Sequence, residues 1–137
     1  MSARTKARKR AIDVLYGADL RERPVADALV EEQRRADQQP ARAESWRYAR
    51  EIIEGVDARR TELDEAIATH AHGWTLERMP VLDRAILRVG AWEILHNDDV
   101  PDAVAISEAV QLASELSTDD SGGFVNGVLS AIARDRS

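Results

Sequence analysis

Residues 82–95 read LDRAILRVGAWEIL, and their spacing decides the fold class. Leu82, Ala85, Ile86, Val89 and Trp92 recur at intervals of three and four, the period of one helix face. Pro80 suits the first turn of that helix, and NDDVPD at 97–102 stops it near His96. The same period governs the flanks. Ile106, Ala109, Val110 and Ala113 mark a helix from about 103 to 116, and Phe124, Val128 and Ile132 mark a final one. In STDDSGG between them, Asp120 or Ser121 is a suitable cap for that last helix. Upstream, Gly73 and Thr75 in HAHGWTLERMP (70–80) read as a helix stop and a new cap. Before it, Trp46, Ala49, Ile53, Val56, Leu63 and Ile67 predict one long helix over 44–70, with Gly55 as a possible bend. Val25, Ala28 and Leu29 place a short helix over about 25–35. Ala7, Ala11, Val14, Leu15 and Ala18 place the first over about 4–20, ended by RERP at 21–24.

Few segments alternate with a period of two, so the expectation is an all-α fold. Three helices precede Gly73 and three follow it, and short connections favour antiparallel neighbours. The expected organisation is one domain over 1–137, made of two three-helix subdomains, about 4–72 and about 73–136. A chain of 137 residues is long enough to bury about 70% of its unfolded surface. It has no cysteine, so disulfide and thiolate chemistry are excluded. The longest stretch without a charge runs from Ser121 to Ala133, too short for a membrane-spanning helix, and no apolar segment of signal-peptide type follows the basic start. A soluble cytoplasmic protein is expected.

Charge is distributed unevenly. The formal net charge is −6, yet the first ten residues hold Arg4, Lys6, Arg8, Lys9 and Arg10 with no acid, leaving −11 for residues 11–137. Most of the chain would repel a polyanion, so only this local cluster could hold one. A solvated, frayed terminus is the ordinary explanation of such a run. Here the run passes directly into an amphipathic helix able to present it, and guanidinium groups suit phosphate. A single basic helix without a second recognition helix fits RNA better than duplex DNA. Tyr16 and Phe124 are the aromatic residues placed to stack a base, although core packing is the commoner role for each. A membrane-surface role is disfavoured by the small, alanine-rich apolar face.

Catalytic signals are absent from the sequence. His70 and His72 form an H-x-H pair, but i and i+2 point about 200° apart on a helix, and nothing nearby completes a metal set. The pairs Ser107–Glu108, Asp98–Asp99 and Asp119–Asp120 lie at helix boundaries, where capping and solvation explain them. There is no Walker A, GxGxxG or nucleophile-elbow motif. A non-enzyme without cofactor or metal is expected.

Three stretches, RKRAIDVLYGADL (8–20), LDRAILRVGAWEIL (82–95) and VPDAVAISEAVQLASELSTDDSGGFVNGVLSAIA (100–133), resemble the NusB family of bacterial transcription antitermination factors. The flank GWTLERMPVLDRAILR (73–88) is similar to its actinobacterial branch. The resemblance implies an all-helical fold and a non-catalytic role. It implies binding to the boxA element of nascent ribosomal RNA leaders together with NusE (small-subunit ribosomal protein S-ten), within an antitermination complex on RNA polymerase. Carried onto this chain, the family's arginine-rich motif falls on Arg4, Lys6, Arg8, Lys9 and Arg10. Its second RNA-facing segment falls on Asp120 and Phe124. Its NusE surface falls on Tyr16, Glu77, Asp83, Arg88 and Trp92. Some family members dimerise over the RNA motif, so a homodimer is a further implied partner. The chain departs from the pattern in mixing lysine with arginine and in placing Asp13 near Lys6, Lys9 and Arg10, both of which would increase dependence on NusE. Two alternatives stand beside this reading. One is a protein-interaction adaptor whose RNA binding depends on its partner. The other is the RNA-binding module of a ribosomal-RNA modification system, disfavoured because no methyl-donor domain is seen up to Ser137.

Overall fold

The long helix expected over 44–70 is two helices. In the computed structural model, which describes residues 2–136, α3 spans Ala43–Ala58 and α4 spans Arg60–His70. Arg59 lies between them with φ −119° and ψ 22°, outside helical geometry. No glycine or proline marks this break, and Gly55 stays inside α3. What separates the halves is their packing: α3 lies against α1 (Ala3–Leu20) and α2 (Val25–Asp37), whereas α4 lies against α5 (Val81–His96) and α7 (Ser121–Arg136). With α6 (Asp102–Leu116), the described residues form seven α-helices and two short 3₁₀ turns, Pro40–Arg42 and Leu76–Arg78.

The chain divides into two compact units, residues 1–58 and 59–137. The first holds three helices and the second four, in place of the three and three expected, and the division falls at Arg59 rather than near Gly73. Gly73, expected as the helix stop, is not the cap: α4 ends at His70 with Ala71 as its cap, and Gly73 turns the loop two residues further on at φ +84°, in the left-handed region that favours glycine. In the first unit α1, α2 and α3 pack on one another around Ala11, Ile12, Ala49, Ile52 and Ile53. In the second, α5 is the central helix and touches α4, α6 and α7. Every residue from Ala85 to Ile94 is buried, so α5 has no wet face over that span.

Gly90 makes that centre possible. A Cβ there would stand 2.6 Å from Leu129 Cδ1 of α7 and 3.5 Å from Ala109 Cβ of α6. Alanine normally improves a helix interior by about 1 kcal/mol over glycine. Here the overpacking cost exceeds that gain, and Gly90→Ala is expected to destabilise the protein by about 1–2 kcal/mol net. Urea denaturation checks this, and an unchanged or raised midpoint would show that Leu129 moves aside freely.

Candidate nucleic-acid interface

The basic cluster occupies the first two turns of α1. Ser2 caps the helix, its hydroxyl accepting from the Thr5 N–H at 3.1 Å, and the first turn holds no acid. A helix N-terminus carries partial positive charge, so cations there oppose helix stability by about 0.3–1 kcal/mol each. Arg4 and Lys6 therefore sit where folding alone would place carboxylates. An anion at this end would meet the side chains and the helix dipole together.

Two aromatic rings of α3 hold the arginines in place. The Arg4 guanidinium lies 4.4 Å from the Tyr48 ring centroid and that of Arg8 lies 5.8 Å from it, while Arg10 lies 4.8 Å from Trp46. Tyr48 and Trp46 are buried. These cation–π contacts fix the direction of α1's charge. They also correct one expectation. Arg8 is only 3% exposed, so it belongs to the packing of α1 on α3 and has almost no surface for a ligand. Arg4 and Lys6 are exposed, and Lys9 and Arg10 are half-buried.

Lys6, Lys9 and Arg10 share one wall of a groove of about 990 Å³ in the first unit. Arg21, Arg23, Arg35 and Arg42 line it too, with Asp13, Glu31 and Glu32. Glu31 pairs with Arg23 at 3.0 Å and with Arg35 at 3.5 Å, and Glu32 pairs with Arg35 at 2.7 Å. The Arg10 guanidinium is pushed below its ordinary value by desolvation, with Glu32 opposing and Arg42 adding to the fall, and its Nη1 is buried without a hydrogen-bond partner. The Asp13 carboxyl is pushed up by desolvation, with Lys9 opposing and Glu32 adding to the rise. Arg42 and Arg21 were missed from the sequence because they stand outside the N-terminal run. The turn Pro40–Arg42 and the end of α1 bring them to the groove.

In the second unit, Asp120 is exposed immediately before α7, and its carbonyl accepts from the Phe124 N–H at 3.2 Å. Ser121, an expected cap, turns its hydroxyl to Asp83 instead. Phe124 is half-buried and meets Trp74, ring centroids 6.1 Å apart and planes inclined at 60°. Of the expected NusE-facing residues, Tyr16 is half-buried on α1 and Glu77 is exposed in the Leu76–Arg78 turn. Asp83, Arg88 and Trp92 are 3%, 7% and 6% exposed, which corrects their placement on a contact surface. Asp83 accepts from the hydroxyls of Ser117 and Ser121. Arg88 makes a two-pronged pair with Asp64 at 2.8 and 3.1 Å. Trp92 lies in the core. The H-x-H pair does not converge. Both His70 ring nitrogens face acceptors, the Ala66 carbonyl at 2.8 Å and the Asp135 carboxylate, and these bonds raise its pKa against desolvation; His72 is exposed.

Known proteins match the chain over nearly its whole length. The NusB family model matches residues 5–134. The transcription antitermination protein NusB of Leifsonia xyli subsp. xyli is 62% identical over 136 residues, covering 99% of this chain and 94% of that protein. Its counterpart in Clavibacter michiganensis is 62% identical over 133 residues and 97% of each chain. Among solved structures, T. maritima NusB superposes with a TM-score of 0.81 at 29% identity, covering 96% of this chain and 91% of that one. A chain from the complex of antitermination factors NusB and NusE with dsRNA superposes with a TM-score of 0.82 at 27% identity and 98% of each chain. With its helices in this order and its length matched almost completely, the chain belongs to the NusB family.

Proposed function

We propose that the chain is a non-catalytic, cytoplasmic antitermination factor acting as a single RNA-binding module. It holds a boxA-like segment of nascent ribosomal RNA on the N-terminal turns of α1, together with NusE, in a complex on RNA polymerase. The observation that carries this reading is the cluster Arg4, Lys6, Lys9 and Arg10 on the first two turns of α1, with Arg4 and Lys6 at the helix end where cations cost stability and Arg4 and Arg10 oriented by Tyr48 and Trp46. Asp120 and Phe124 are proposed as a second RNA contact, and Tyr16 and Glu77 as the accessible part of the NusE surface. Charge supports a division of labour. Residues 1–58 carry 12 basic and 11 acidic side chains, net +1, while residues 59–137 carry 7 and 14, net −7. The acidic unit suits a basic ribosomal protein.

The test is a titration of a single-stranded boxA-like RNA, with and without NusE. Lys6→Glu combined with Lys9→Glu is expected to weaken RNA binding at least roughly 30-fold, from about 1 kcal/mol per charge contact, with the unfolding midpoint not lowered, since Lys6 sits at a helix end that favours a carboxylate. Wild-type affinity in that variant would remove α1 from the RNA site. Binding seen only after NusE is added would favour the adaptor reading, in which Asp13 weakens the basic face.

A further inference from the structure

The three tryptophans of the chain do different things. Trp46 and Trp92 are 4% and 6% exposed and fill the two cores. Trp74 is 51% exposed and fills none. We propose that Trp74, backed by Phe124, is a stacking platform for one unpaired base of the bound RNA. This rests on the RNA-binding reading above and adds to it a residue outside the family-implied set.

The platform is ordered before any ligand arrives. Gly73 turns the chain at φ +84°, and the Trp74 N–H donates to the Ala71 carbonyl at 2.9 Å. The following turn closes through Met79 N–H to the Leu76 carbonyl at 3.2 Å, and Arg84 of α5 donates to that same carbonyl at 3.1 Å. Phe124, tilted at 60°, supports the indole from one side, and the exposure of Trp74 leaves ring surface in water. A base gains from such a π surface whatever its identity.

The surroundings favour a base over a protein or a membrane. The exposed side chains on this loop, Pro80 apart, are the polar His72, Thr75, Glu77 and Arg78, so beyond Phe124 the indole stands in polar company and not in a broad apolar patch. An aromatic anchor of a protein interface is surrounded by contacts that exclude water. Stacking needs only the ring, and Arg78 in the same turn supplies a cation suited to the adjoining phosphate.

Because Trp46 and Trp92 are buried and cannot stack on a base, the RNA-induced change in emission that is lost in Trp74→Phe belongs to Trp74. The experiment titrates the full chain, with NusE present throughout, with a single-stranded boxA-like oligoribonucleotide. Affinity is followed by anisotropy of labelled RNA and stacking by tryptophan emission. RNA is expected to quench the wild-type protein, and the quench is expected to vanish in Trp74→Phe with affinity nearly kept. Trp74→Ala is expected to bind about 5- to 150-fold more weakly, the cost of losing one stacked base. Wild-type affinity in Trp74→Ala with no quench in the parent would overturn the platform while leaving the α1 site intact, provided Lys6→Glu with Lys9→Glu still loses RNA. Loss of NusE binding in Trp74→Ala, without change in RNA quench, would overturn it in favour of a protein contact. Failure of the wild-type protein to bind RNA at all would overturn both readings.

Discussion

Raising salt from about 50 mM to about 200 mM is expected to weaken binding of a single-stranded boxA-like RNA about 50-fold, from four phosphate contacts at a slope of about −0.7 each. The four are Arg4, Lys6, Lys9 and Arg10, the members of the basic run that retain surface. Arg8 is excluded by its burial under Tyr48. Arg8→Ala should therefore keep the wild-type slope while lowering the unfolding midpoint. Lys6→Ala should reduce the slope by about 0.7 with the midpoint kept or slightly raised. The measurement is a set of RNA titrations at several salt concentrations beside urea denaturation of each variant. A slope near zero would remove phosphate contact from the mechanism, and a slope change in Arg8→Ala at unchanged stability would return Arg8 to the RNA face.

Asp83→Ala is expected to cost about 3 kcal/mol of stability, since hydrogen bonds to a charged group contribute about 1.5–3 kcal/mol each. The Asp83 carboxylate lies in the first turn of α5, where the helix dipole favours it. It is 3% exposed and accepts from Ser121 at 2.9 Å and from Ser117. Those serines stand at the start of α7 and the end of α6. One carboxylate thus ties three helices, and alanine would leave the Ser121 hydroxyl, 1% exposed, without its charged acceptor. Asp83→Asn should be milder, because the amide oxygen still accepts. Denaturation of both variants and a double-mutant cycle with Ser121→Ala check this. A loss below about 1 kcal/mol, or a loss of NusE affinity at wild-type stability, would restore Asp83 to the contact surface.

The helices were legible where apolar residues keep the period of three and four. Leu82 to Trp92 located α5, and Gly73 and Pro80 located the loop before it. The break at Arg59 was not legible. Val56 and Leu63 lie seven residues apart and continue the helical face across it, and the interruption comes from packing partners that local sequence does not encode. Asp83, Arg88 and Arg8 misled for one reason: a charged residue on a helix usually faces water. Each had a warning. Arg8 stands four residues before Ile12 and seven before Leu15, inside the buried stripe. Around α5, Leu87, Ala91 and Ile94 are apolar on the side opposite Ala85 and Val89, which marks a helix buried all round. The groove residue Arg42 carried no such signal, because its neighbours across the groove are distant in sequence.

The break at Arg59 divides more than the chain. The net charge is −7 beyond it and +1 before it. Each side packs its own core, so a substitution that changes the acidity of residues 59–137 leaves the charge of residues 1–58 as it was. The acidity of one unit can therefore be retuned without touching the packing of Arg4 and Arg10 on Tyr48 and Trp46 in the other. A single non-helical residue thus insulates one charge balance from the other.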